Sequence, residues 1–88
     1  MTTPTECRGL VLCDSIHHVL ALEKRLRAAD VPIDLIPVPR ALSSDCGVAI
    51  AFALDALDPV RRILAEPGVR WRGLFRRDGD DWREAEPV

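Results

Sequence analysis

The chain has 88 residues, enough for one hydrophobic core and not for two. With 48% hydrophobic and 30% charged residues it has the composition of an ordinary globular domain. A net charge of -2 with interspersed signs gives no field for gripping nucleic acid or anionic lipid, and no apolar run approaches the ~18 residues of a membrane span. The start, MTTPTECRG, has no basic-then-apolar signal pattern, so a cytoplasmic location is expected. A reducing compartment and an odd count of three cysteines argue against structural disulfides. Each thiol is then core filler, ligand or reactive group.

Residues 1 to 7 are polar and expected to be a flexible N-terminus. RGLVLC, residues 8 to 13, is a short apolar run between turn formers and predicts a buried strand. Asp14 and Ser15 offer N-cap oxygens to a helix running to about Ala29, with Ile16, Val19, Leu22, Leu26 and Ala29 on its apolar face. Asp30 and Pro32 end it. Residues 33 to 38, IDLIPV, predict a second strand that Pro37 confines to an edge or to its last residue. GVAIAFAL predicts a third, with Val48, Ile50 and Phe52 on one face and Ala49, Ala51 and Ala53 on the other.

Asp58 and Pro59 suit the N-cap and first position of a second helix, with an earlier start at Asp55 as the alternative. Pro67-Gly68 stops that helix, and VRWRGLF predicts a fourth strand with Trp71 and Phe75 sharing one face. After the main domain, residues 8 to 77, the acidic segment 78 to 88 carries an Asp78-Gly79 turn signal. It either frays or folds back as a short hairpin with Trp82 packed down.

Strand, helix, strand, strand, helix, strand is the order of a ferredoxin-like split βαβ sandwich. The expected fold is α+β, an antiparallel four-stranded sheet with two helices on one face. In that topology strand 1 ends, helix 1 begins and the strand 2–3 hairpin turns at one end of the sheet. Cys46, in the hairpin sequence PRALSSDCG, is thereby expected near Asp14, Ser15, His17 and His18.

A free thiol with a pKa near 8.5 is only ~3% thiolate at pH 7. A helix N-terminus favours the anion by ~0.3–1 kcal/mol, and Arg40, Ser43, Ser44 and free backbone N–H groups would add to that. Asp45 opposes it. The plainer alternative is a hairpin in which Cys46 is a small half-buried residue. His17, in the first helical turn, is a candidate base, with a surface histidine as the alternative. Cys13, His17 and Cys46 have no paired ligand spacing, so a metal centre is a minor reading, and no metal or cofactor is expected. There is no glycine-rich phosphate loop and no serine elbow. A sheet lined by Ala49, Ala51 and Ala53 lacks the aromatics of a base-stacking platform and instead suggests a flat face for a homodimer.

The run SIHHVLALEKRLRAADVPIDLIPVPRALSSDCGVAIAF resembles a small bacterial family of selenium/sulfur-carrier-like proteins, formally a domain of unknown function. The shared pattern is Ser15-x-His17-His18, the Ala21-Leu22-Glu23-Lys24 stretch, Pro37 and Arg40, then Ser43-Ser44-x-Cys46-Gly47, with weaker similarity onward to Gly73-Leu74-Phe75. Cys13 and Asp14 depart from the apolar residue and proline of that pattern, and the segment after Arg77 looks like an addition. The resemblance implies a carrier of sulfur or selenium, as a persulfide or selenopersulfide on Cys46, rather than a stand-alone enzyme. Arg40, Ser43 and Ser44 would stabilise the anion and His17 would shuttle a proton. Its partners would be a donor such as a cysteine desulfurase and an acceptor protein, with no nucleic acid or membrane. The rival reading is a non-catalytic ferredoxin-like interaction or regulatory module.

Overall fold

Five consecutive residues between Cys7 and Cys13 form the strand around which the others assemble. A computed structural model describes residues 8–40, 42, 47–78 and 81–85. Its elements are β1 (Arg8–Leu12), α1 (Ile16–Ala28), β2 (Asp34–Pro37), β3 (Val48–Ala53), α2 (Leu57–Leu64), β4 (Gly73–Asp78) and β5 (Asp81–Glu84). A single 3-10 turn, Leu54–Ala56, leads into α2, so that helix starts before Asp58 and Ala56 occupies its N-cap.

All ladders are antiparallel, and the strand order across the sheet is β2-β3-β1-β4-β5. The sheet therefore has five strands where the sequence pattern gave four. The fifth is β5, which pairs Asp81, Trp82, Arg83 and Glu84 with Asp78, Arg77, Arg76 and Phe75. At the other edge, Val38 N–H donates to the Gly47 carbonyl at 3.2 Å. The alternation of an antiparallel ladder then turns the backbone groups of Leu35 and Pro37 outward. Pro37 is tolerated as the last residue of an edge strand because its missing N–H removes no ladder bond.

The two faces of the sheet carry different cores. Val11, Ile50, Phe52 and Leu74 face the helices and pack with Val19, Leu22 and Leu26 of α1 and Val60, Ile63 and Leu64 of α2. Val19, Leu22 and Leu26 follow one another by three and four positions, and Ile63 and Leu64 lie three and four positions after Val60, the spacing of one helix face. Ile16 and Ala29 belong to neither layer: both are exposed, although the apolar periodicity included them. The helix stops at Ala29 because Asp30 adopts a left-handed φ of 62°. Val31 N–H then donates to the Leu26 carbonyl and Asp30 N–H to Arg27, the paired bonds of a Schellman turn.

On the opposite face, Leu10, Leu12, Ala49 and Ala51 are fully or almost fully buried beneath Ile36, Val38, Leu42, Phe75 and Trp82. This corrects the expectation of an open alanine face for a homodimer, since the chain's own side chains close it. It also corrects the pairing of Trp71 with Phe75. β4 starts only at Gly73, so Trp71 precedes the strand, packs toward the helix side and donates from Nε1 to the Leu64 carbonyl at 3.0 Å. Phe75 belongs to the second face. Its cover is reinforced by Arg77, whose guanidinium stands 5.3 Å from the Trp82 ring centroid.

Gly9 lies opposite Phe52 in the β1–β3 ladder, and a Cβ built on it would come within 2.3 Å of the Phe52 ring. The ring lies over the glycine, filling the space that a side chain would take. Gly9→Ala is expected to destabilise the fold by about 1–3 kcal/mol through forced repacking of Phe52, read as a lowered urea midpoint with unchanged m-value. Trp71→Phe removes the bond to Leu64 and should cost about 1 kcal/mol in the same assay.

Candidate functional site at the β1–α1 end of the sheet

Register places the candidate residues. Leu12, the last residue of β1, lies between Ala49 of β3 and Gly73 of β4. The residues just beyond these positions gather at that end: Asp14 and Ser15 at the start of α1, Gly47 before β3, and Arg72 before β4. Arg72 N–H ties this corner to β1 through a 2.7 Å bond to the Leu12 carbonyl. The convergence of the strand 2–3 connection and the α1 N-terminus at one end is thus observed through Gly47.

Cys46, Ser43, Ser44 and Asp45 lie outside the described residues, as does Cys7. Gly47, bonded to Cys46, has a left-handed φ of 78° with open space where a Cβ would sit. Glycine meets that backbone demand without steric cost. On the other side of the connection, Leu42 N–H donates to the Pro39 carbonyl at 3.0 Å, and Arg40 lies exposed between those residues. Val38 and Leu42 pack onto the second face of the sheet. The polar connection is therefore rooted by two apolar side chains.

At the start of α1, Ser15 is the N-cap. Its Oγ accepts from His18 N–H at 3.3 Å, and its carbonyl accepts from the backbone of His18 and Val19. That occupies the Ser15 oxygen as a cap. His17 is exposed, while His18 turns the other way, into a recess of about 40 Å³ with Ala21, Leu22, Arg25 and Gly68 to Arg70. Its Nδ1 is buried and without a hydrogen-bond partner. Asp14 is exposed and meets Arg72 at 3.8 Å, a solvent-screened pair of small energetic weight.

Cys13 follows β1 directly and is fully buried in the helix-side core, with Sγ 3.7 Å from the Arg70 carbonyl. Burial among apolar groups favours the thiol form and bars access, so Cys13 is a packing residue. Among the described residues no group of three or more histidine, cysteine or acidic side chains converges as a metal site. No helix of the described chain is long and apolar enough to cross a membrane.

Arg70 and Arg72 are the residues at this end that the sequence reading passed over. Their sequence signal was present: the arginines of VRWRGLF precede the strand that pairs with β1. Locating them required knowing where β4 begins.

Residues 8–76 match the family described as "Putative Se/S carrier protein-like". The chain belongs to that family. The match spans β1 through most of β4, while β5 and Trp82 lie beyond it. No match was found among curated proteins or among solved structures.

Two properties of this corner of the Se/S-carrier-like protein are open to measurement. Ser15→Ala should lower stability by about 1 kcal/mol in thermal denaturation, with Ser15→Asp retaining the cap. Cys13 should stay unmodified by iodoacetamide in the native protein and become modified in urea, as read by peptide mass mapping.

Proposed function

We propose that the protein holds sulfur or selenium on Cys46 and relays it between a protein donor and an acceptor. The observation that carries this reading is the family match over residues 8–76, which includes the Ser43-Ser44-Asp45-Cys46-Gly47 run. Register supports it by setting Gly47 at the end of the sheet where α1 begins.

In this scheme the Cys46 thiolate attacks the terminal sulfur of a donor persulfide, R–S–SH. A new S–S bond forms on Cys46, the donor's S–S bond breaks, and the donor leaves as the thiolate R–S⁻. One sulfur and its proton change hands without net oxidation, and no outside oxidant is needed. The acceptor's nucleophile then takes the terminal atom by the same exchange and restores the Cys46 thiolate. Selenium follows the same path as a selenopersulfide. Arg40, Ser43 and Ser44 stabilise the anion on Cys46, and His17, exposed in the first turn of α1, exchanges protons with it.

The architecture that suits this work is a ferredoxin-like sandwich extended by one strand. β1 sits between β3 and β4, with α1 and α2 as crossovers to β2 and β4. The thiol chemistry of this scheme suits a reducing cytoplasm.

Incubation with a cysteine desulfurase and cysteine tests the reading by intact mass. A gain of one sulfur, about 32 Da, should persist in Cys7→Ser and Cys13→Ser and disappear in Cys46→Ser. No adduct at Cys46, with an alkylation rate equal to that of a free thiol, defeats the proposal.

A further inference from the structure

Among the described residues, the exposed large hydrophobic side chains are Ile16 (41%), Leu20 (49%) and Leu35 (38%). Scattered singly they would mean little. The fold instead brings all three to one side of the molecule.

Ile16 and Leu20 are four residues apart and lie one above the other on α1. Successive helical residues are about 100° apart, which sets this pair on the flank opposite His18 and Arg25. His18 and Arg25 line the recess against Gly68 to Arg70, the segment after α2, and Arg25 pairs with Glu66 at 2.7 Å. The flank with Ile16 and Leu20 therefore faces away from α2. α1 joins β1 to β2 and packs across β3 between them, so its free flank overlooks the edge strand β2. Leu35 of β2 pairs with Ile50, a residue of the helix-side core, and so projects on the same side as α1. Ile16 is also the first residue of α1, at the end of the sheet where Gly47 lies.

Charge identifies the kind of occupant. Lys24 rims the flank, and Arg40 stands exposed just beyond β2. Glu23, the acidic group on this flank, is engaged by Arg27 at 3.0 Å. An apolar centre with a basic rim is the layout of a docking surface for a partner with an apolar centre and an acidic rim. Strand addition at β2 is a poor use of this edge, because Pro37 faces outward without an N–H.

We infer that the outer flank of α1, with Ile16 and Leu20 beside Leu35 of β2, is the surface on which the sulfur-donor protein docks, through an acidic-rimmed apolar face of its own. The inference rests on the carrier reading and names where its partner sits. Docking there brings a donor's persulfide to the end of the sheet that precedes Gly47.

The test compares two routes of loading Cys46, with a cysteine desulfurase plus cysteine as the protein donor and inorganic polysulfide as the small donor. In the full-length double variant Ile16→Ser/Leu20→Ser, loading from the protein donor should fall about tenfold or more, while polysulfide loading stays within about twofold of wild type. Lys24→Glu, which removes no apolar contact from the core, should also slow the protein route and flatten its dependence on ionic strength. Unchanged protein-donor loading in both variants overturns the docking surface and leaves the carrier reading standing. A parallel fall by both routes overturns it too, by assigning the defect to Cys46. A wild-type dimer that the double variant dissociates, seen by light scattering, would make a second copy the occupant and also overturn it. Failure of both donors to load wild-type Cys46 removes the carrier reading and the docking surface together.

Discussion

Residues 10 to 13 have to satisfy two packing layers at once, and the rest of the molecule is arranged around that demand. Val11 and Cys13 go to the helices, Leu10 and Leu12 to the opposite face, and none is measurably exposed beyond 3%. β1 is also the central strand of the five, paired with β3 on one side and β4 on the other. A slip of one residue in either ladder would exchange the two cores, turning Val11 and Cys13 away from the helices. Register is therefore held by both layers together. That register is what sets the end of β1, the start of α1, Gly47 and Arg72 at one place.

The second face explains the apolar residues inside an otherwise polar connection. A sheet with helices on one side only would ordinarily leave the other to water. Here small alanines on β3 leave room for larger side chains to fold over them, and Leu42 and Val38 arrive from the segment that leads to Cys46. Phe75 and Trp82 arrive from the other side. The segment that follows β2 is thus fastened to the sheet through Val38 and Leu42. Trp82 stands outside the part of the chain that matches the Se/S-carrier-like family, so the cover draws on a residue beyond the matched region.

The alternating pattern of β3 and the i, i+3, i+4 pattern of α1 were legible because periodicity reports directly on which side is buried. The Asp30 stop, the Ser15 cap and the edge position of β2 were legible for local reasons, each resting on one residue's backbone or side-chain chemistry. The start of β4 was not: Trp71 has the side chain of a strand residue and the spacing to match Phe75, and only tertiary packing under Leu64 takes it out of the sheet. Ile16 misled in the opposite direction, since an apolar residue in phase with the core face still falls outside it at the first turn. The closed second face was hidden because alternation assigns residues to a face without saying what covers it. Of the candidate site, the end of the sheet was legible and Gly47 lies there, Ser43, Ser44 and Cys46 fall outside the described residues, and the arginines before β4 emerged only with the register.

Pro37 does more than end a strand. A sheet edge with a free row of N–H and C=O groups invites any passing extended chain to join it. Here one border is blunted by an imino acid turned outward, and the other is the short strand β5, whose Asp81, Arg83 and Glu84 are charged and exposed. Both borders are thereby made poorer templates for strand addition. Selection against an arbitrary extended strand is thus built into the borders of the sheet themselves.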